Sequence, residues 1–437
     1  MTGPAGGELA SIVDLGHDGR GVARLGGKAV FVAGALPGET VRIRRQRRGR
    51  RHDEAELLEV VTASPERVTA PCPAFGRCGG CALQHLAPAA QIAAKGRQLL
   101  AELARIGRVT PERTLAPLTG PTLGYRRRAR IGAKYLTRKG RAIVGFREQD
   151  SPHLADLEAC PVLAAPLDGM LGALAALIGS LSIPALVPQI EVAVADAATV
   201  LVLRVLAPLG PGDAERLVAF AARHGVEFWL QEAGPDSARP LTGAGTALSY
   251  RLAGFDLTLG FGPLDFVQVN AALNERMVEL ALELLEPGRD EAVLDLFCGL
   301  GNFTLPLARH CGSVLGIEGD AALVARARDN AARNGLGNVR FKVANLAADL
   351  RGEPWAGERF ARVLLDPPRA GAVEVLPLVA RSRPRRVVYI SCHPGTLARD
   401  AGLLVHEHGF RLLAAGVMDM FPHTAHVESV AVFEPAR

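Results

Sequence analysis

The stretch Val293 to Phe303, Val-Leu-Asp-Leu-Phe-Cys-Gly-Leu-Gly-Asn-Phe, constrains the fold more than any other part of the chain. An apolar run of strand length passes through a turn with two glycines into a short helical segment ending near Ala308. Gly299 and Gly301 let the backbone turn sharply and approach a ligand closely, and Asp295 offers a carboxylate near the strand end. The third glycine of the dinucleotide pattern is missing. A second strand, Ser313 to Ile317, ends in Glu318, 23 positions after Asp295, about the spacing at which an acidic residue grips ribose hydroxyls. Carboxylates at both strand ends, with no phosphate loop, suit S-adenosylmethionine better than NAD or ATP. A glycine turn alone can be mere packing, so the weight falls on the strands downstream of it.

Strand then helix repeats through the rear of the chain. Val339 to Val343 runs out near Asn345, Ala361 to Leu365 at Asp366-Pro367-Pro368-Arg369, and Arg386 to Ile390 at Ser391-Cys392-His393-Pro394. In a doubly wound parallel sheet the ligand lies at the carboxyl ends of the strands, so Asp295, Glu318, Asn345, Asp366 and Cys392 are expected to converge. A final pair, Arg411 to Met420 and Val427 to Phe433, would close the sheet with an antiparallel strand. Cys392 has a bland reading as a small buried hydrophobe. Its place at a strand tip, before a Pro-Gly turn and a helix starting near Thr396, favours a reactive thiol. In a methyl-transfer pocket such a thiol has a specific use. Carbon 5 of a pyrimidine is a poor nucleophile, but thiolate addition at carbon 6 makes an enolate whose carbon 5 attacks a sulfonium methyl. A base must then remove the carbon 5 proton so that the thiolate can leave.

Length and charge say what is attached to this sheet. With 437 residues and 49% hydrophobic content, two or three domains are expected. The chain shows no uncharged 18-residue apolar run and no leader pattern, so a soluble, cytoplasmic protein with no membrane association is expected. The net charge of +5 hides an asymmetry: residues 1 to 150 carry 26 Lys and Arg against 13 Asp and Glu, and the remainder is net acidic. A basic front on an acidic rear suggests a polyanion-binding module joined to an enzyme body, against the alternative of a merely solvated basic face.

The front half alternates short strands and glycine turns: Glu8 to Asp14, Ala29 to Val32, Thr40 to Arg44 and Ala55 to Val61, the texture of a small closed barrel. Between the last two strands, Arg42 to Arg51 holds seven arginines in ten residues, forked donors suited to phosphates. Next comes Cys72-x5-Cys78-x2-Cys81. Seven cysteines cannot all pair, and three thiols so close read as metal ligands, with Cys160 the best fourth. Spacing does not separate zinc from a [4Fe-4S] cluster, and it is not the Cys-x3-Cys-x2-Cys of radical enzymes. Pro88 to Ile106 reads as an amphipathic helix closed by Gly107. Tyr125-Arg126-Arg127-Arg128-Ala129-Arg130 lies on a strand continuing to Tyr135, with an RNA-stacking reading set against a solvated strand whose tyrosines pack inward. The chemistry of residues 162 to 265 is not legible.

Two resemblances cover most of the chain. Gly19-x-Gly21-Val22-Ala23-Arg24, then a strand, then Leu36-Pro37-Gly38-Glu39-Thr40 resembles the TRAM domain, an RNA-binding OB-like barrel, over about residues 8 to 62. Phe266-Val-Gln268-Val-Asn270, Asp295 to Phe303, Asp366-Pro-Pro-Arg369, Tyr389 to Asp400 and Phe421-Pro-His-Thr-Ala-His-Val-Glu428 resemble the RNA 5-methyluridine methyltransferase family, and within it the bacterial iron-sulfur branch acting on 23S rRNA. The resemblance implies Cys392 as nucleophile and Glu428 as general base. It implies S-adenosylmethionine contacts from Gln268, Phe297, Asn302, Glu318, Asn345 and Asp366, and a [4Fe-4S] cluster on Cys72, Cys78, Cys81 and Cys160. One departure stands out: the family usually has asparagine after the nucleophile, and here it is His393.

The expectation is therefore an α/β protein in three parts: a TRAM (OB-like) domain at 1–66, a central α+β cluster domain at 67–265, and a class I (Rossmann-like) methyltransferase domain at 266–437. The expected partner is 23S rRNA, with no protein partner and a monomeric state. The alternatives are the same chemistry on tRNA, cytosine-5 methylation, or a non-catalytic RNA-binding protein on a methyltransferase scaffold.

Overall fold

Alternating apolar residues roll the front of the chain into a closed five-stranded barrel, as seen in a computed structural model that describes residues 7–436. Its strands are β1 (Glu8–Leu15), β2 (Gly21–Leu25), β3 (Lys28–Val32), β4 (Thr40–Arg48) and β5 (His52–Thr62), and β4 returns to pair with β1. Ala10, Ile12, Ala23, Val30, Val32, Val41 and Ile43 fill its interior. Sequence reading misses β2 because its inward positions are Gly21 and Ala23, too small to give an apolar alternation. Arg67 ties the barrel to the chain beyond it, gripping the buried Glu39 carboxylate at 2.5 and 2.8 Å and the Gly34 carbonyl at 2.6 Å.

Pro88 opens helix α1 (Pro88–Glu102) where its missing N–H leaves nothing unpaired. The helix runs into a wider turn, Leu103–Gly107, and Arg108 rather than Gly107 takes the left-handed conformation that ends it, at φ +54°. Gly107 is small for another reason: a Cβ there would sit 2.3 Å from the Ala398 carbonyl oxygen. Strand β6 (Arg113–Thr114) follows.

A central sheet of six strands has the order β12-β11-β10-β9-β7-β8: β7 (Arg128–Leu136), β8 (Arg141–Gly145), β9 (Gln189–Val194), β10 (Thr199–Arg204), β11 (Glu227–Gln231) and β12 (Arg239–Pro240). Helices α2 (Leu171–Ser180) and α3 (Asp213–His224) belong to this layer, and α2 packs on β7 and β8. The hairpin of β13 (Leu248–Leu252) and β14 (Leu257–Phe261) leads to α4 (Ala271–Leu285), which Asn270 caps by accepting from the Leu273 N–H at 3.2 Å.

The rear sheet carries the site. Strands β15 (Ala292–Leu296), β16 (Ser313–Glu318), β17 (Val339–Val343), β18 (Arg362–Leu365) and β19 (Arg386–Ser391) are parallel, and β20 (Phe410–Met418) and β21 (Glu428–Pro435) complete the order β17-β16-β15-β18-β19-β21-β20-β6. The central strands are rich in Val, Leu and Ile without a polar alternation because both faces are covered, by α4, α5 (Thr304–Ala308), α6 (Ala321–Arg333), α7 (Leu376–Ser382) and α8 (Pro394–His406). As expected, β21 enters antiparallel, between β19 and β20.

Sequence order and packing part company at two places. Ile92, Leu99, Leu103 and Val109 join the core on one face of the rear sheet, and β6 adds to its edge, although all lie within residues 67–265. The β13–β14 hairpin packs into the core on the other face, where Asn330 of α6 and Asn334 just past its end hydrogen-bond the Gly260 and Thr258 backbone, respectively. Among the described residues no helix is long and apolar enough to cross a membrane.

Candidate active site and cysteine centre

The turn after β15 is built to leave room for a ligand. Phe297 is held at φ +66°, with its N–H and that of Cys298 both donating to the Ile317 carbonyl, at 2.9 and 3.0 Å. Gly299 follows at φ +55°, and a Cβ there would touch nothing within 4 Å. Glu318 closes one side, its carboxylate accepting from the Gly299 N–H at 3.1 Å and the Gly319 N–H at 2.7 Å. Asp295 lies fully buried beneath: one oxygen accepts from the Thr304 hydroxyl at 2.5 Å and the other has no partner. Asn302 is braced on both sides, exchanging hydrogen bonds with Asn274 at 2.9 Å and accepting from the Tyr250 hydroxyl at 2.8 Å. Gln268 is half-buried, and Asn345 sits exposed in the turn after β17. These residues fit a nucleoside ligand: an acidic floor, an orphaned carboxylate oxygen and open space above a glycine.

Pairing of β19 with β21 ends at Ser391 against Ser429, which leaves Cys392 and Glu428 as the next residue on either side, close enough for the Glu428 carboxyl to act on the Cys392 thiol. Burial pushes the Cys392 thiol up to about 11, with the Glu428 and Asp366 carboxyls adding to the effect and Arg369 opposing it. Burial likewise lifts Glu428 well above the carboxylate range, and Asp366 raises it further. Asp366 keeps part of its surface open, yet its surroundings hold it at about 7, as burial does for Asp295. The pocket thus gathers acids that resist ionising together until a positive charge enters.

The loop before Glu428 is fastened from three directions. Lys95 of α1 is buried and donates to Asp419 at 2.7 Å and to the Phe421 carbonyl at 2.9 Å. Gln91 accepts from the His423 N–H at 2.8 Å, and the Tyr125 hydroxyl donates to the Pro422 carbonyl at 3.1 Å. The backbone N–H groups of Ala82 and Leu83, just past the last of the clustered cysteines, both donate to the His423 carbonyl at 2.9 Å. Tyr125 therefore packs inward, the plainer of its two sequence readings. Sequence reasoning passes over Lys95, whose only signal is a lysine on the apolar face of α1 with Ile92 and Leu99.

Cys72, Cys78, Cys81 and Cys160 all line one cleft, and none is in a disulfide. Burial pushes Cys81 up to about 12, with Cys160, Cys78 and Cys72 contributing, and raises Cys78 and Cys160. N–H donors point at the sulfurs: Gly80 at Cys78, 3.4 Å away, and the Val162 and Leu163 backbone at Cys160. As they stand, no three His, Cys, Asp or Glu side chains among the described residues are arranged to hold a metal ion. What the four cysteines share is chemistry: neighbouring soft thiols that raise one another's pKa, served by N–H donors that favour the thiolate.

That cleft, about 1120 Å³, runs from His17 of the barrel past the cysteines to Cys392, with Lys95, Arg97, Arg105, Arg126 and Arg369 on its walls. The arginine hairpin lies elsewhere and is less free than its sequence suggests. Arg42 pairs with Glu59, Arg44 with Glu56, and Arg45 with Glu8 and Asp53, which leaves Arg47, Arg48, Arg50 and Arg51 unpaired among the described residues.

The profile of the TRAM domain matches residues 9–44, and that of tRNA (Uracil-5-)-methyltransferase matches residues 253–435. A 23S rRNA (uracil(1939)-C(5))-methyltransferase RlmD of Stenotrophomonas maltophilia (strain K279a) is 55% identical over 426 residues, covering 97% of this chain and 96% of that protein. The chain belongs to the RlmD family. Another RlmD, of Xanthomonas axonopodis pv. citri (strain 306), is 52% identical over 427 residues, with 97% and 96% coverage. The fold extends beyond RlmD proteins: a Pyrococcus abyssi tRNA (uracil-54, C5)-methyltransferase, solved with S-adenosyl-L-homocysteine, superposes with a TM-score of 0.74 at 23% identity, covering 98% of this chain and 100% of that one.

Proposed function

We propose that this protein methylates carbon 5 of the uridine in 23S rRNA that corresponds to position 1939, the target named for its RlmD relatives. The observation that carries the reading is that a cleft-lining thiol, Cys392, and a buried carboxyl, Glu428, sit side by side just past the end of the β19–β21 pairing. In this reading Cys392 adds to carbon 6 of the uracil and Glu428 removes the carbon 5 proton after methyl transfer, releasing the thiolate. S-adenosylmethionine supplies the methyl as a sulfonium. Gln268, Phe297, Asn302, Glu318, Asn345 and Asp366 would hold it, the acidic floor favouring its positive charge. The walls of the cleft, basic on the α1 side, take the RNA backbone, and phosphate contacts position while base contacts specify.

We further propose that Cys72, Cys78, Cys81 and Cys160 hold a [4Fe-4S] cluster. Bound there, it would hold the four sulfurs as thiolate ligands and tie residues 72–81 to residue 160. Because Ala82 and Leu83 hydrogen-bond His423, this segment also braces the loop leading to Glu428. The protein would act in the cytoplasm as a monomer.

Incubation with labelled S-adenosylmethionine and unmodified 23S rRNA, followed by mapping, tests the reading. One labelled 5-methyluridine at the corresponding position is expected. Label in tRNA alone would move the substrate, and label in no RNA would favour a non-catalytic binding protein.

A further inference from the structure

His393 follows the thiol directly, and its surroundings fix which way its ring is turned. It is the N-cap of α8: its Nδ1 accepts from the Thr396 N–H at 3.2 Å. Serine, threonine, aspartate and asparagine are the usual residues at such a position, and a ring in their place is uncommon. The backbone around it is pinned as well. The Ser391 and Thr396 hydroxyls each donate to the His393 carbonyl at 3.1 Å, and the His393 N–H donates to Ser391 Oγ at 3.2 Å.

A neutral imidazole has one donor and one acceptor nitrogen. If Nδ1 accepts the cap hydrogen bond, the proton sits on Nε2. That nitrogen has no protein partner among the described residues, and His393 lines the same cleft as Cys392 and Arg369. Glu102 of α1 shares the space: a Cβ on Gly395 would lie 2.9 Å from its Oε2 and 3.1 Å from His393 Cε1. The carboxylate is thus near the ring without bonding to it.

We propose that His393 is a substrate-contacting residue of the methyl transfer, whose cap bond holds Nε2–H as a fixed donor to an acceptor oxygen of the target nucleotide. The inference rests on the function proposed above. Capping and donation are separate duties, so substitutions can separate them. Asparagine keeps both, with Oδ1 to cap and Nδ2–H to donate. Serine keeps the cap, but its hydroxyl is too short to reach where Nε2 reaches.

The test measures how fast each protein forms a covalent adduct with a 23S rRNA fragment carrying 5-fluorouridine, in the presence of S-adenosylmethionine, alongside its melting temperature. His393→Asn is expected within about threefold of the wild-type rate, and His393→Ser slower by tenfold or more, the loss typical of one aimed donor. Both should melt within a degree or two of wild type. Slowing at saturating RNA would mean a contact that strengthens as the adduct forms, and a raised KM alone a contact to the bound nucleotide; either supports the proposal. If His393→Ser reacts as fast as His393→Asn, the histidine only caps a helix and the proposal is overturned. Wild-type protein that forms no adduct would instead overturn the functional reading itself.

Discussion

Replacing Lys95 with methionine tests how firmly the loop before Glu428 is held. Lys95 and Asp419 are both almost fully buried, with 3% and 4% of their side-chain surface exposed, and lie 2.7 Å apart. Burial lowers the Lys95 pKa more than Asp419 restores it, so the pair is costly to bury and is kept for what it holds in place. Lys95→Met strands the Asp419 carboxylate and removes the donor to the Phe421 carbonyl. Loss of one partner of a buried pair costs about 3–5 kcal/mol. For a unit of the size of the rear sheet that is a drop in Tm of roughly 6 to 15 °C. Lys95→Met combined with Asp419→Asn removes the stranded charge, and at least half of the loss should return. Thermal denaturation of the three variants, with amide exchange across residues 419–427, reads both effects. A single variant that loses less than about 1 kcal/mol and exchanges like wild type would refute the argument that this pair fastens the loop.

Asp366 stands near 7 in the folded protein against an ordinary 3.8, so the folded form holds its proton more tightly, and this contribution is present in full below about pH 4 and lost as pH rises through 7. Asp366→Asn should therefore raise the Tm of ligand-free protein more at pH 8 than at pH 5, and an equal change at both would contradict the assignment. Alanine at Arg47, Arg48, Arg50 and Arg51 together should weaken RNA binding and reduce the slope of log K against log salt by up to about 3, whereas alanine at the paired Arg42, Arg44 and Arg45 should change the slope far less. Protein purified without oxygen should be brown and contain acid-labile sulfide, and stoichiometric zinc with no sulfide would reject the cluster. Cys160→Ser should raise protease sensitivity within residues 67–161 more than in the rear sheet.

The rear sheet was legible because buried parallel strands write themselves as short, largely apolar runs rich in Val, Leu and Ile, and β15, β16, β18 and β19 fall where those runs lie. The barrel was legible except for β2, whose inward Gly21 and Ala23 carry too little apolar signal. Contacts between distant segments left no trace in local pattern. Nothing near Arg42, Arg44 or Arg45 announces Glu59, Glu56 and Glu8 as partners, so a paired stretch read as a free basic hairpin. Lys95 drew no reading from the sequence, because its partner Asp419 lies more than 300 residues on. The inward packing of Tyr125 depends on the Pro422 carbonyl in the same way. Cys392 and Glu428 could be named by motif, but their side-by-side positions arise from a strand pairing that sequence spacing does not encode.

In the proposed reaction the two groups act in order, Cys392 before methyl transfer and Glu428 after it. Glu428→Gln keeps the size of the side chain and removes the base, so the most direct measurement is the fate of RNA and labelled methyl on that variant in a denaturing gel. The account predicts a protein band carrying both RNA and the methyl label, because the methylated adduct keeps its carbon 5 proton and cannot expel the thiolate. Normal turnover with free 5-methyluridine product and no such band would contradict it.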